Sequence, residues 1–345
     1  LAERLADHTT LRIGGPARGW VEPETEAELI EVVRAADAVG EPVLVLGGGS
    51  NVVVADAGFD GTVVHTGRLR GVHIEDVAAC SGAFVNVAAG EPWDAFVAAS
   101  VAAEHVGLEA LSGIPGLVGA TPIQNVGAYG QEVAQTIARV RVWDRQVQQV
   151  VTRSAAECHF GYRSSLFKAV PDRFVVLSVS FQFALGTLSV PVRYAELARV
   201  LGAEPGARVP LEEVRAAVLD LRRSKGMVLD AADRDTWSAG SFFTNPVVDT
   251  AVADALPAHA PRYPQPDGRV KTSAAWLIEH AGFNRGYGSG LARLSTRHTL
   301  AVTNRGGASA ADVIALAREI RDGVRHAYGI SLVPEPVLIG TGLDP

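Results

Sequence analysis

Residues 42–54 read PVLVLGGGSNVVV. Three glycines, a serine and an asparagine separate two short apolar runs. A dinucleotide-binding glycine turn ordinarily opens into a helix. Here Val52, Val53 and Val54 follow, and β-branched side chains favour a strand. The chain is therefore constrained to strand, turn and strand. Successive backbone N–H groups in such a turn can form an anion-binding nest without a helix, and Ser50 and Asn51 add side-chain hydrogen bonds. A plain β-turn uses the same residues equally well, so this loop alone leaves both readings open.

The chain has 345 residues, 48% hydrophobic and 20% charged, enough for two or three domains with a sizeable core. Its 31 Lys and Arg are scattered and the net charge is −7, which gives no footprint for nucleic acid. No apolar run reaches the length of a membrane span. Residues 1–15 mix Glu3, Arg4, Asp7, His8 and Arg12, unlike a signal peptide. Cys80 and Cys158 make no disulfide framework, and both are expected to be reduced and mostly buried in a cytoplasmic protein. Neither they nor the 9 scattered histidines form a metal motif.

Local patterns divide the chain. Thr25 and Glu28 read as a capping box for a helix over 26–39, closed by Gly40. Strands are expected at 43–46, 52–54 and 62–65, giving a compact βαββ-like unit around the glycine loop. FVNVAA (84–89) reads as a strand, and Pro92 opens a helix carrying Phe96, Val97 and Val101. The stretch 107–130 has neither helical nor strand period, which marks a functional loop or a misread element. Strands follow at 138–145 and 174–185. Residues 274–282 read as a buried helix, and Ser309 with Asp312 caps another that ends at Gly329. A last strand, 336–340, is expected to return to the first unit. The division expected is 1–70 with 331–345, then 71–225, then 226–330.

Four further segments carry candidate chemistry. LSGIPGLVGATPIQNVGAYGQE (111–132) holds Gly113, Gly116, Gly119, Gly127 and Gly130, whose bare backbone admits a flat ring and a diphosphate. Gln124, Asn125 and Tyr129 add polar and stacking contacts, although an Ω-loop without ligand has the same composition. In CHFGYRSSLFK (158–168), Arg163 reads either as a surface arginine or as a bidentate partner for a carboxylate or phosphate. In WSAGSFFTNPVV (237–248), Ser241 sits in a small-residue turn before two aromatics. In VPEPVLIG (333–340), Glu335 is pinned between two prolines, or is a solvated edge carboxylate.

In this order the five segments resemble the UDP-N-acetylenolpyruvoylglucosamine reductase family, from HTTLRIGGPA (8–17) to VPEPVLIG (333–340). The stretch GIPGLVGATPIQNVGAYGQE is the most specific, with FGYRSSLFK and AGSFFTNP close behind. The resemblance implies an α+β fold: a two-domain FAD-binding flavoprotein fold of the PCMH or vanillyl-alcohol-oxidase type, plus a third α+β substrate-binding domain. The first and last parts of the chain would form one FAD-binding subdomain, 71–225 the second, and 226–330 the substrate domain. The glycine loop would hold the FAD diphosphate, which answers how such a loop works between two strands.

The resemblance also implies the activity: NADPH-dependent, FAD-mediated reduction of UDP-N-acetylglucosamine enolpyruvate to UDP-N-acetylmuramate in peptidoglycan synthesis. FAD would be non-covalent, NADPH a hydride-donating co-substrate, and the enzyme a monomer. Cofactor contacts would come from Gly47, Gly48, Gly49, Ser50 and Asn51. A second set would be Gly113, Ile114, Pro115, Gly116, Gly119, Pro122, Gln124, Asn125, Gly127, Ala128 and Tyr129. Arg163 and Glu335 would stabilise the enol intermediate, and Ser241 would donate the proton. Tyr162, Lys225, Asn245 and His298 would touch the substrate along with these three. VPVRYAEL (190–197) resembles the tyrosine-bearing loop of one subclass, in which Tyr194 would close over the diphosphate. Three positions depart from the common pattern: Val337 replaces an arginine, His298 a glutamine and Ser164 the aspartate that follows the catalytic arginine.

Overall fold

The computed structural model describes residues 3–78 and 80–344. The chain forms two compact units. The first contains Ala17–Gly48 and Asp60–Ser224; the second contains Arg4–Pro16, Gly49–Phe59 and the chain from Lys225 onward. Among the described residues no helix is long and apolar enough to cross a membrane.

The first unit is built on an antiparallel sheet in the spatial order Gln149–Ser154, Ile137–Asp144, Phe174–Leu185, Gly82–Ala88 and Val72–Ala78. Phe174–Leu185 is its central strand, and seven consecutive residues from Val175 to Phe181 are buried, as a strand covered on both faces requires. The helix Trp93–Ala102 packs Phe96 and Val97 with Phe181 and Phe183 in one core. A smaller sheet pairs Val43–Leu46 in parallel with Phe59–His65. It is covered by the helix Glu26–Ala38, where Thr25 Oγ1 accepts from Glu28 N and Gly40 follows with φ +68°. The helix Leu211–Ser224, absent from the sequence reading, is amphipathic, with Leu211, Val214, Val218 and Leu221 buried.

The second unit gathers Leu11, Ile13, Val53, Phe242 and Phe243 around two helices. Ala274–His280 is closed by Gly282 at φ +98°. Ala310–Tyr328 carries the Ser309–Asp312 capping box and ends on left-handed Gly329, with Val313, Leu316, Ala317, Ile320 and Val324 buried. The last strand, Val337–Ile339, pairs in parallel with Val52–Val54.

Two expectations are corrected. Val52–Val54 does not join the sheet of its sequence neighbours, so there is no single βαββ unit. Past Gly48 the chain bonds to the second unit instead, where Gly49 O accepts from Thr10 N and Val53 is fully buried. Cys80 is exposed, because it lies in the turn that joins Val72–Ala78 to Gly82–Ala88 at the sheet edge; only Cys158 is buried, and burial pushes its thiol up to about 12.

Candidate active site

In the first unit the two glycine segments lie against each other. A Cβ at Gly48 would stand 2.7 Å from Gly116 Cα, and one at Gly47 would be 3.6 Å from Ala120 Cβ. At Gly48 only a bare backbone permits that approach. The long loop is ordered: short 3-10 turns at Glu109–Leu111 and Val118–Ala120 bury Leu111 and Val118, and a small hairpin pairs Gly127–Ala128 with Gln131–Glu132.

The helix Trp93–Ala102 staples this loop at its first turn. Trp93 Nε1 donates to Leu111 O at 3.1 Å, and Trp93 N to Gly116 O at 3.0 Å. Gly113 N donates to Asp94 Oδ1 at 2.6 Å. Asp94 also takes a two-pronged pair from Arg215, at 2.7 and 3.0 Å. Burial alone would raise the Asp94 carboxyl, but the hydrogen bonds from Arg215 and Gly113 and the Arg215 charge outweigh it and hold the group below its usual range. Trp93, Asp94 and Arg215 were absent from the candidate set. A Trp-Asp pair directly after Pro92 reads from sequence as an ordinary acidic first turn.

Asn125 and Tyr129 have left-handed backbones, at φ +48° and +49°, as does Arg163 at +51°. Non-glycine residues seldom adopt this region, and they gather at sites that hold them by other contacts. Those contacts are explicit. Asn125 Nδ2 donates to Gly161 O at 3.0 Å and to Glu132 Oε2 at 2.8 Å, while its Oδ1 accepts from Ala134 N. Arg163 Nη2 donates to Gly127 O at 2.8 Å. The structure therefore brings Arg163 to the long glycine loop, with the Tyr162 ring 5.5 Å from its guanidinium. Tyr129 and Tyr194 meet edge to face with centroids 5.5 Å apart, and burial pushes the Tyr129 phenol up to about 12.

In the second unit the segment after Ser241 is held on two sides. Phe242 N donates to Leu300 O at 2.7 Å, and Glu335 N donates to Phe242 O at 2.9 Å. Phe243 bridges Pro334, and both phenylalanines are buried. Ser241 thereby lies beside the Glu335 segment, half-buried, just after left-handed Gly240. Asn51 joins from the glycine loop, donating from Nδ2 to Glu335 O at 3.3 Å. The turn that carries His298 rests on buried Asp235, which accepts from Thr296 N at 2.9 Å and from Arg305 at 2.9 Å. Burial opposes ionisation of Asp235, yet hydrogen bonds from the Thr296 hydroxyl and N–H, with the Arg305 charge, keep its carboxyl below the usual range. Asn245 Oδ1 accepts from Ala274 N, at the start of the helix Ala274–His280. Gly49, Ser50 and Lys225 belong to this unit as well.

The two glycine segments meet at Gly48 and Gly116, both half-buried, and left-handed Asn125 and Tyr129 lie further along the same long loop. Residues 17–152 match the FAD binding domain family, and residues 231–339 match the C-terminal domain of UDP-N-acetylenolpyruvoylglucosamine reductase. The chain is 60% identical to the UDP-N-acetylenolpyruvoylglucosamine reductase of Cutibacterium acnes, over 97% of this chain and 89% of that one. It is 56% identical to the Thermobifida fusca protein of the same name, over 98% and 97%. The crystal structure of the Thermus caldophilus UDP-N-acetylenolpyruvylglucosamine reductase superposes with a TM-score of 0.66 at 26% identity, covering 98% of this chain and 99% of that one. With both family domains present and such identity along almost its whole length, the chain is an oxidoreductase that belongs to the UDP-N-acetylenolpyruvoylglucosamine reductase family.

Proposed function

We propose that the protein reduces UDP-N-acetylglucosamine enolpyruvate to UDP-N-acetylmuramate with NADPH, in the cytoplasm and as a monomer. Residues 1–70 with 331–345 and residues 71–225 would serve FAD, and 226–330 the sugar nucleotide. FAD, when bound, supplies the two-electron relay between NADPH and the substrate.

The protein's own residues do the rest. Reduction adds a hydride to the terminal carbon of the enolpyruvyl double bond and a proton to its α-carbon. Negative charge builds on that carbon and its carboxylate between the two additions. Arg163, fixed by Gly127 O, supplies a permanent cation to stabilise it. Ser241 delivers the proton and recovers one from water. A serine hydroxyl is a weak acid, so it serves only because the carbon it protonates is strongly basic. Glu335 acts with Arg163 to stabilise the enol intermediate. Tyr162, Tyr194, Lys225, Asn245 and His298 hold the sugar nucleotide.

The observation that carries this reading is the pairing that seats Glu335 N on the carbonyl of Phe242, the residue after Ser241. That bond joins the segments of Ser241 and Glu335, which supports reading them as parts of one site. The test is optical. The yellow holoenzyme should bleach with NADPH in the absence of oxygen and recolour on addition of UDP-N-acetylglucosamine enolpyruvate. A protein that fails to bleach, or recolours only with oxygen, is not this reductase.

A further inference from the structure

Glu109 is a charged-type side chain with no exposed surface, near the start of the long loop. Such residues are almost never fully buried without dedicated partners. Its partners lie on three segments. Oε2 accepts from Gly107 N at 2.7 Å, within its own loop. Oε1 accepts from Gln131 Nε2 at 2.9 Å, on the second strand of the hairpin whose turn carries Tyr129. Oε1 also accepts from Val190 N at 2.9 Å, on the segment that leads to Tyr194. Gln131 closes the ring, since its Oε1 accepts from Ala110 N at 2.7 Å.

Backbone hydrogen bonds also tie the Tyr194 segment to residues 206–209. Ser189 N and Val192 N donate to Val209 O and Ala207 O, and Gly206 N donates to Val192 O. Toward the long loop, Val190 N bonds Glu109, Val192 and Leu197 pack in one core with Ala110, and a small cavity is lined by Glu109, Tyr129, Gln131 and Val190. Tyr194 then begins the short helix Ala195–Val200, 44% exposed, with its ring edge on Tyr129.

We propose that Glu109 is a positioning residue that seats the Tyr194 segment on the glycine-rich loop, so that the tyrosine is pre-set for the sugar-nucleotide diphosphate. This rests on the reading of Tyr194 as a substrate contact. A pre-set clamp loses less conformational freedom on binding than a mobile one, so its benefit falls on substrate affinity. No electron or proton passes through Glu109.

Glu109→Gln keeps the volume but turns one acceptor into a donor, so at least one of the three N–H groups loses its partner. Val190→Pro deletes the N–H that reaches Glu109 without touching the bonds of Glu109 within its own loop, and Val190→Ala, which keeps the N–H, controls for the lost side-chain packing. In the holoenzyme, amide exchange over residues 192–197 should accelerate by about tenfold in both Glu109→Gln and Val190→Pro, the effect of losing one buried hydrogen bond. KM for UDP-N-acetylglucosamine enolpyruvate should rise by about three- to tenfold, while flavin reduction by NADPH stays within about twofold. Tyr194→Phe should raise KM alone and add little in the Glu109→Gln background, as coupled residues do. Wild-type exchange in either holoenzyme, or KM effects that add in full, overturns the proposal. If Glu109→Gln does not fold, Val190→Pro decides the question by the same readings. If Tyr194→Phe leaves KM unchanged, the substrate reading of Tyr194 falls, while the exchange rates still decide whether Glu109 seats the segment.

Discussion

Asn51 and Glu335 lie 284 residues apart in sequence and are joined by the amide of one and the carbonyl of the other, Nδ2 to O at 3.3 Å. The link is reinforced one step on, where Val337 N donates to Asn51 O at 2.9 Å. The loop expected to hold a diphosphate is therefore also the support of the segment that leads from the candidate catalytic carboxyl into the last strand.

Asn51→Leu tests both duties at once. It should lower FAD retention, through the diphosphate contact proposed for this side chain. It should also slow flavin reoxidation by the enolpyruvyl substrate by about tenfold, the worth of one buried hydrogen bond. Flavin fluorescence during dialysis reads the first effect and stopped-flow absorbance the second. A variant with full flavin occupancy and wild-type reoxidation removes Asn51 from the site.

Asp94 gives a pH signature. Its carboxyl is held below the ordinary value of 3.8 in the folded protein. A depressed acid adds stability that is complete at neutral pH, begins to fall as pH drops toward the unfolded value, and is gone below the folded one. Since Asp94 holds Gly113 N, flavin release should steepen below about pH 4. Asp94→Asn should release flavin more readily at neutral pH and show a flatter acid profile. Parallel acid profiles for the two proteins, followed by flavin fluorescence, would rule out this role.

Gly48→Ala probes the contact between the two glycine segments. The new Cβ would meet Gly116 Cα at 2.7 Å, backbone that cannot rotate away. Overpacking of this kind costs about 1–3 kcal/mol. The melting temperature of the holoenzyme should fall and flavin affinity should weaken with it. Gly40→Ala is the comparison: no atom lies within 4 Å of its Cβ, and only its φ of +68° resists the change. Equal flavin affinity in the Gly48 variant and the wild type would show that the segments meet without shaping the cofactor site.

What the sequence made legible follows its range. Thr25, Ser309, Gly40 and Gly329 end their helices through neighbours within four residues, and each boundary is readable locally. The motif segments identified the family through their resemblance to it, which the relatives bear out. Contacts made at long range were not legible. Val52–Val54 has the composition of a strand, but nothing local says that its partner is Val337–Ile339 rather than Val43–Leu46. Glu109 looks like any loop glutamate until Val190 is folded onto it. Asp94 reads as a favourable charge in a helix first turn, and only the returning Arg215 reveals a clamp. Cys80 was misjudged because free cysteine usually prefers the interior, whereas the turn that carries it lies at a sheet edge.

Ser241 offers the cleanest separation of chemistry from structure, because its hydroxyl is needed in one half-reaction only. Phe242 and Phe243 anchor the segment by burial, and Phe242 N and O by backbone bonds, so the backbone does not depend on the serine side chain. Ser241→Ala should therefore fold, retain FAD and be reduced by NADPH at nearly the wild-type rate. Reoxidation by UDP-N-acetylglucosamine enolpyruvate should fall by about 10²–10⁴-fold, the usual cost of a lost general acid. Ser241→Cys should recover part of that loss, since a thiol still carries a transferable proton. Rapid-mixing absorbance at the flavin band follows both half-reactions in one protein. Slow reduction with normal reoxidation would place Ser241 at the NADPH step and leave the proton without this donor.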